Sequence, residues 1–202
     1  MLSAYVILCA TSLQSKIESP TLDRKEVVSA SITNHQAAAQ GQDEKVQTKL
    51  LLAPGTPAPD FTVEKWGGGE LKLSTFKGKT VVLDFWSTTV PGSISALTHT
   101  EAIQKATKEQ DVVVLEVNTW DDKANYEAWM KANETTYTLS FGIDPTPKDD
   151  TNIAKKLYQV SELPTTYIID KDGKVADAFV GYKVEDKRLD EALRKLGVKI
   201  DQ

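Results

Sequence analysis

Cysteine is almost absent from this chain: Cys9 is the only one in 202 residues. One thiol closes no intramolecular disulfide, so disulfide-scaffold classes are excluded, and so is any catalysis that needs two thiols of one chain. Histidine is nearly as scarce, with His35 and His99 alone. Two histidines and one cysteine spread along the chain form no ligand cluster, so neither a metal nor another cofactor is called for. Basic residues are not in excess: the formal net charge is −5, and no Lys/Arg cluster offsets it, which speaks against nucleic acid. No apolar run approaches the ~20 residues of a membrane-spanning helix. The pairs Asp121-Asp122 and Asp149-Asp150 lack the periodic oxygen spacing of a cation loop and read as helix-start and loop charges.

What is present is ordinary globular composition, with length for one domain and an additional segment. Met1 to Ala10 is a short apolar stretch with the look of an export signal, although no Lys or Arg precedes its apolar core. Within it, Val6-Ile7-Leu8-Cys9 also resembles a lipoprotein signal in which Cys9 would carry the lipid. Gln14 to Thr48 is polar and reads as a linker, with a helical piece around Leu22 to Ile32 or Asp43 to Leu52. Residues 1–53 are therefore expected to be a signal, tether or disordered segment, and 54–202 the folded domain.

The folded part opens on Pro54-Gly55-Thr56-Pro57-Ala58-Pro59-Asp60-Phe61, where prolines forbid regular structure. Phe61 to Val63 and Glu70 to Leu73 read as a hairpin around Gly67-Gly68-Gly69. Thr80 to Trp86 is apolar and β-branched, as in a strand buried on both faces. It breaks at Ser87-Thr88-Thr89-Val90-Pro91-Gly92, and Ser93 to Glu109 has helical periodicity. Asp111 to Thr119 reads as a second buried strand, so strand, helix and strand form a parallel βαβ unit. Helices are predicted at Asp122 to Asn133, Asn152 to Tyr158 and Val184 to Leu196. Extended segments are predicted at Tyr137 to Ile143 and Ala176 to Tyr182, and the Lys171-Asp172-Gly173-Lys174 turn reads as the link between two antiparallel strands.

Two motifs resemble one family. Leu83-Asp84-Phe85-Trp86 with Pro91 is similar to the Phe-Trp-Ala-x-Trp-Cys-x-x-Cys segment of TlpA/ResA-type redoxins, which have the thioredoxin fold. Val160-Ser161-Glu162-Leu163-Pro164-Thr165-Thr166, running on to Ile169-Asp170 and Gly173, resembles that family's Val-x-x-x-Pro-Thr-Thr segment. The Pro54 to Phe61 entry resembles the Gly-x-x-Ala-Pro-x-Phe of redoxins and peroxiredoxins. The resemblance covers about residues 54 to 197. It implies an α/β thioredoxin-like three-layer fold, with a central mixed sheet flanked by helices and an N-terminal hairpin. It places Pro164 in the cis form, facing the loop after the central strand.

Laid on the family pattern without a gap, the two cysteine positions fall on Val90 and Ser93. A peroxiredoxin-like alignment through Val90-Pro91-Gly92-Ser93 again puts Ser93 at the reactive position. A helix N-terminus lowers a thiol's pKa but does not make valine a nucleophile, and a serine without a base stays protonated. Ser93 suits an N-cap or first-turn place. His99, two turns along, reads as a surface or packing residue. Asp84 matches the buried carboxylate beneath the cysteines, and its pKa is expected to rise if it is buried without a partner. Trp86, Thr89, Pro91, Leu163 and Pro164 are the candidate lining of a peptide groove, with a core place equally open for Trp86. The family implies an extracytoplasmic, periplasmic or membrane-tethered bacterial protein. Three functions follow: a redox-inactive redoxin that binds a protein or peptide, a thiol-disulfide oxidoreductase by descent in Cys-less form, or a structural domain of a tethered assembly.

Overall fold

A computed structural model describes residues 51–146 and 151–200. These lie in one unit, Asp43–Gln202. The signal-like stretch, the polar linker with its helical piece around Leu22 to Ile32, Cys9, His35 and Asp149-Asp150 fall outside the described residues, as does the Asp43 to Leu52 piece up to residue 50; Leu51 and Leu52 are not helical.

The strands are β1 (Thr62–Lys65), β2 (Glu70–Lys72), β3 (Thr80–Trp86), β4 (Val112–Asn118), β5 (Ser140–Ile143), β6 (Thr165–Ile169) and β7 (Val175–Val180). The helices are α1 (Pro91–Ala106), α2 (Lys123–Ala132), α3 (Ile153–Tyr158) and α4 (Arg188–Lys195). The sheet runs β2-β1-β5-β4-β3-β6-β7. β3, β4 and β5 are parallel, joined through α1 and α2, and the other pairings are antiparallel. This is the mixed sheet with flanking helices that the sequence predicts. All seven residues of β3 are buried, as expected of a strand covered on both faces.

Side chains alternate between two apolar layers. Val82 and Trp86 of β3 join Leu97 and Ile103 of α1, Tyr126 and Met130 of α2 and Leu189 and Leu193 of α4. Val81, Leu83 and Phe85 join Leu115, Tyr158 and Tyr167 on the other face. There Tyr158 donates to the Pro59 carbonyl at 2.6 Å, and Tyr167 donates to the Tyr158 carbonyl. Packing extends ahead of Ala53: Leu51 and Leu52 lie against this layer, and the Leu52 N–H donates to the Tyr167 hydroxyl at 3.2 Å.

The predicted elements differ from the observed ones at their ends. α1 begins at Pro91 rather than Ser93, because proline at the first helical position forgoes an N–H that has no intrahelical partner there. α4 begins only at Arg188, after a turn in which Glu185 has φ +63°. β7 ends at Val180, and Arg188 donates to the Val180 and Gly181 carbonyls at 3.1 and 2.8 Å while lying over the Phe179 ring. That guanidinium occupies carbonyls past the end of an edge strand, which blunts the edge.

β1 crosses close to β5. A β-carbon on Gly142 would lie 2.5 Å from Val63 Cγ2 and 3.2 Å from the Glu64 carbonyl oxygen. Val63 is buried and β-branched, so it has little room to move. Gly142→Ala is therefore expected to destabilise the domain by about 1–3 kcal/mol, measured by chemical denaturation. An unchanged midpoint would contradict the close approach of the two strands.

Candidate functional site

The site is built where β3 leaves the sheet and α1 begins. Trp86 still pairs with Asn118 of β4, and the Thr119 N–H donates to the Trp86 carbonyl at 2.9 Å. Ser87 to Val90 then forms a tight loop over the end of the sheet. Val90 is the N-cap, with φ −103° and ψ 108° and no side-chain cap. Ser93 is consequently the third residue of the helix, a first-turn place and not the cap. It is fully buried, and its Oγ accepts from the Ser87 N–H at 3.4 Å. Among the described residues no acid or histidine hydrogen-bonds to that hydroxyl, so it has no base.

The loop is anchored by Asp121, which the sequence marks as a helix-start charge. The structure corrects this: Asp121 is buried. Its Oδ1 accepts from Ser87 Oγ at 2.7 Å. Its Oδ2 accepts from the Thr88 N–H and from Asn118 Nδ2, both at 2.7 Å. Ser87 Oγ also lies 2.8 Å from Thr89 Oγ1. Asp122 does start a helix as expected, accepting from the Asn125 N–H at 2.9 Å as the N-cap of α2.

The structure decides between groove and core for Trp86. It is fully buried, with ring centroids 4.9 Å from Trp129, 5.7 Å from Phe141 and 6.3 Å from Tyr126. The alternation of β3 puts it on the face of Val82 and Asp84, under the helices. It belongs to the core and lines no groove. Thr89 and Pro91 are exposed, Val90 and Leu163 half-buried and Pro164 buried. The Leu163–Pro164 peptide bond is cis. A β-carbon on Gly92 would stand 3.6 Å from Pro164 Cδ, so the first turn of α1 faces Pro164 at contact distance. The β6 ladder with its neighbours begins at Thr165, which leaves Leu163 beside the loop and ahead of the paired strand.

Beneath α1 lie two buried carboxyls. Asp84 and Glu116 are register partners on parallel β3 and β4, both fully buried. Thr166 Oγ1 donates to Asp84 Oδ1 at 2.6 Å, and Thr100 Oγ1 donates to Glu116 Oε1 at 2.7 Å. Asp84 Oδ2 and Glu116 Oε2 have no hydrogen-bond partner. Burial pushes Asp84 up to about 7, against hydrogen bonds that favour its charged form. Burial and then the neighbouring Asp84 charge push Glu116 well above its ordinary range. Asp84 is thus buried with one oxygen unpartnered, and its pKa rises as expected. Glu116 escapes sequence reasoning because it sits inside the run Val112 to Val117. The available signal was a lone acid in a strand with no exposed face.

His99 lies elsewhere. Its Nε2 is 2.9 Å from Asp190 Oδ2, and its ring is 5.8 Å from that of Tyr182, so it links α1 to α4. Among the described residues no three His, Cys, Asp or Glu side chains converge on a point, and no helix is long and apolar enough to cross a membrane.

This loop, its Pro164 neighbour and the carboxyl below it sit on a frame that known proteins share. Residues 54–178 match the model of the AhpC/TSA family. The chain belongs to the AhpC/TSA family. Within it, the similarity runs to thiol-disulfide oxidoreductases. The ResA protein of Bacillus subtilis is 31% identical over 137 residues, which span 68% of this chain and 73% of the relative. A thioredoxin-like protein of the same organism, YneN, is 34% identical over 130 residues, 64% of this chain and 73% of its own. A putative DsbE thiol:disulfide interchange protein from Chlorobium tepidum superposes with a TM-score of 0.64 at 26% identity, covering 72% of this chain and 98% of that one. The exposed lipoprotein thioredoxin Etrx1 of Streptococcus pneumoniae gives 0.53 at 28% identity, over 67% and 99%. By homology this AhpC/TSA member is a thioredoxin-like redoxin of thiol-disulfide oxidoreductase lineage.

Asp121→Ala removes a charged acceptor from two side-chain donors and one backbone N–H. The expected cost is about 3 kcal/mol, with faster amide hydrogen exchange at Thr88 than in β3. Asp121→Asn, which keeps one acceptor, is expected to lose less. Wild-type stability in the alanine variant would show that the loop is held by something else.

Proposed function

We propose that this redoxin-family domain has no thiol redox activity and serves as a binding module for an extended protein or peptide segment. The contact surface is the groove between the Thr88 to Gly92 loop and Leu163-Pro164. One observation carries the reading: the two positions that the family resemblance assigns to cysteine hold Val90 and Ser93, and Cys9 is the chain's only thiol. Thiol-disulfide exchange requires a thiolate to attack and a second thiol to resolve the mixed disulfide. Neither exists at this loop.

The surroundings support binding. Valine fills a small, semi-apolar place much as a free cysteine packs. The buried Ser93 hydroxyl accepts from the loop backbone, which gives it a structural task. Thr89 and Pro91 are exposed, with Leu163 half-buried beside them. An extended segment at such an edge is held by main-chain hydrogen bonds and apolar contact, neither of which needs sulfur. An extracytoplasmic place belongs to the same reading. Its support is the signal-like Met1 to Ala10 and the description of Etrx1 as an exposed lipoprotein.

Reduction of insulin by dithiothreitol separates this reading from an active oxidoreductase. The unaltered chain is expected to give no acceleration, and Val90→Cys/Ser93→Cys a clear one. Acceleration by the unaltered chain would contradict redox inactivity. Silence of the folded double variant would contradict a groove still shaped for polypeptide.

A further inference from the structure

Asp84 and Glu116 bear on the whole domain and not on thiol chemistry alone. They stand opposite each other on adjacent parallel strands, in register, under the helical layer. Each is fully buried. Each has one oxygen held by a threonine hydroxyl, from Thr166 of β6 and Thr100 of α1. Each has one oxygen with no partner. From the facing register position, the Asp84 charge pushes Glu116 up.

An ionised carboxylate only accepts hydrogen bonds. Two ionised carboxylates side by side would leave both free oxygens unsatisfied and place two like charges in one buried space, at a cost of many kcal/mol. Among the described residues, the surroundings supply no counter-charge. On β3, β4 and β6 the same face presents Val82, Val114 and Ile168. On α1, Glu101 is the nearby charged group. It is ion-paired with Lys105 at 3.0 Å, and its own negative charge pushes Glu116 further up. From α4, Asp190 is taken by His99 at 2.9 Å. Among the described residues no lysine, arginine or histidine pairs with either acid.

We infer that Asp84 and Glu116 share a single proton between their two free oxygens in the folded protein, forming a buried acid pair that weakens the domain as it ionises. One proton satisfies both orphaned acceptors and removes one of the two charges. The pair then bridges β3 and β4, with Thr100 clamping it to α1 and Thr166 to β6. This places a pH-sensitive latch below the helix that carries Val90 and Ser93. Acids whose folded pKa exceeds the unfolded value contribute stability that is complete below the unfolded pKa, about 4. It is lost as pH rises towards the folded pKa. The window therefore opens above about pH 4 and runs through neutrality. The two groups titrate as a coupled unit.

The test is thermal melting of the full chain from about pH 5 to about pH 8, beside Asp84→Asn and Glu116→Gln. In each variant the amide donates to the remaining carboxylate and stands in for the shared proton. The wild type is expected to lose several degrees of Tm over this range relative to either variant. Parallel profiles in wild type and variants would overturn the inference. Should one variant fail to fold, the other carries the comparison. Carboxyl-carbon NMR of the wild type gives an independent reading. The Asp84 and Glu116 signals are expected to move together, with at least one proton still on the pair at pH 6. Separate titration of both near ordinary carboxylate values would overturn it.

Discussion

Where β3 ends at Trp86 the backbone leaves the sheet, and the polar groups of Ser87 and Thr88 must find partners away from bulk water. Asp121 supplies them. Its two oxygens take the Ser87 hydroxyl, the Thr88 N–H and the Asn118 amide at 2.7 Å each. The loop is thereby fixed to the end of β4, and the loop sets where α1 starts. α1 in turn lays Gly92 against Pro164 and Thr100 against Glu116. The start of α1, with its contacts to Pro164 and Glu116, depends on this one carboxylate.

The arrangement explains how this redoxin frame is held with Val90 and Ser93 at the loop and no cysteine in residues 54–202. Among the described residues, nothing that positions the loop involves sulfur. Val90 is a half-buried N-cap, and Ser93 accepts one backbone hydrogen bond. Both tasks are structural, and both side chains perform them without a reactive group. The apolar layers on the two faces of β3 supply most of the cohesion by burial.

Much of this was legible in the sequence. The apolar run from Thr80 to Trp86 is a buried strand because both of its faces are covered, and the helical period after it closes a parallel βαβ unit. The Gly67 to Gly69 turn and the alternation of Glu70 to Leu73 mark the hairpin. Three features were not legible, each for a physical reason. Asp121 looks like a helix-start charge because its partners lie 33 and 34 residues away in the β3–α1 loop. Trp86 at the end of a strand fits groove and core equally, and only its pairing with Asn118 puts it inside the sheet and under α2. Glu116 is hidden in a β-branched run, and its meaning appears only with the β3–β4 register. A strand's alternation says which residues share a face. The register says which of them meet.

As proposed, the surface between the loop and Leu163-Pro164 binds polypeptide without thiol chemistry. Amide NMR of the chain, titrated with an unfolded polypeptide free of cysteine, reads that surface directly. The account expects saturable shifts confined to Thr88 through Gly92 and to Leu163 and its neighbours, with the Trp86 indole unmoved in the core. Shifts confined to another face, or none at saturating polypeptide, would contradict it.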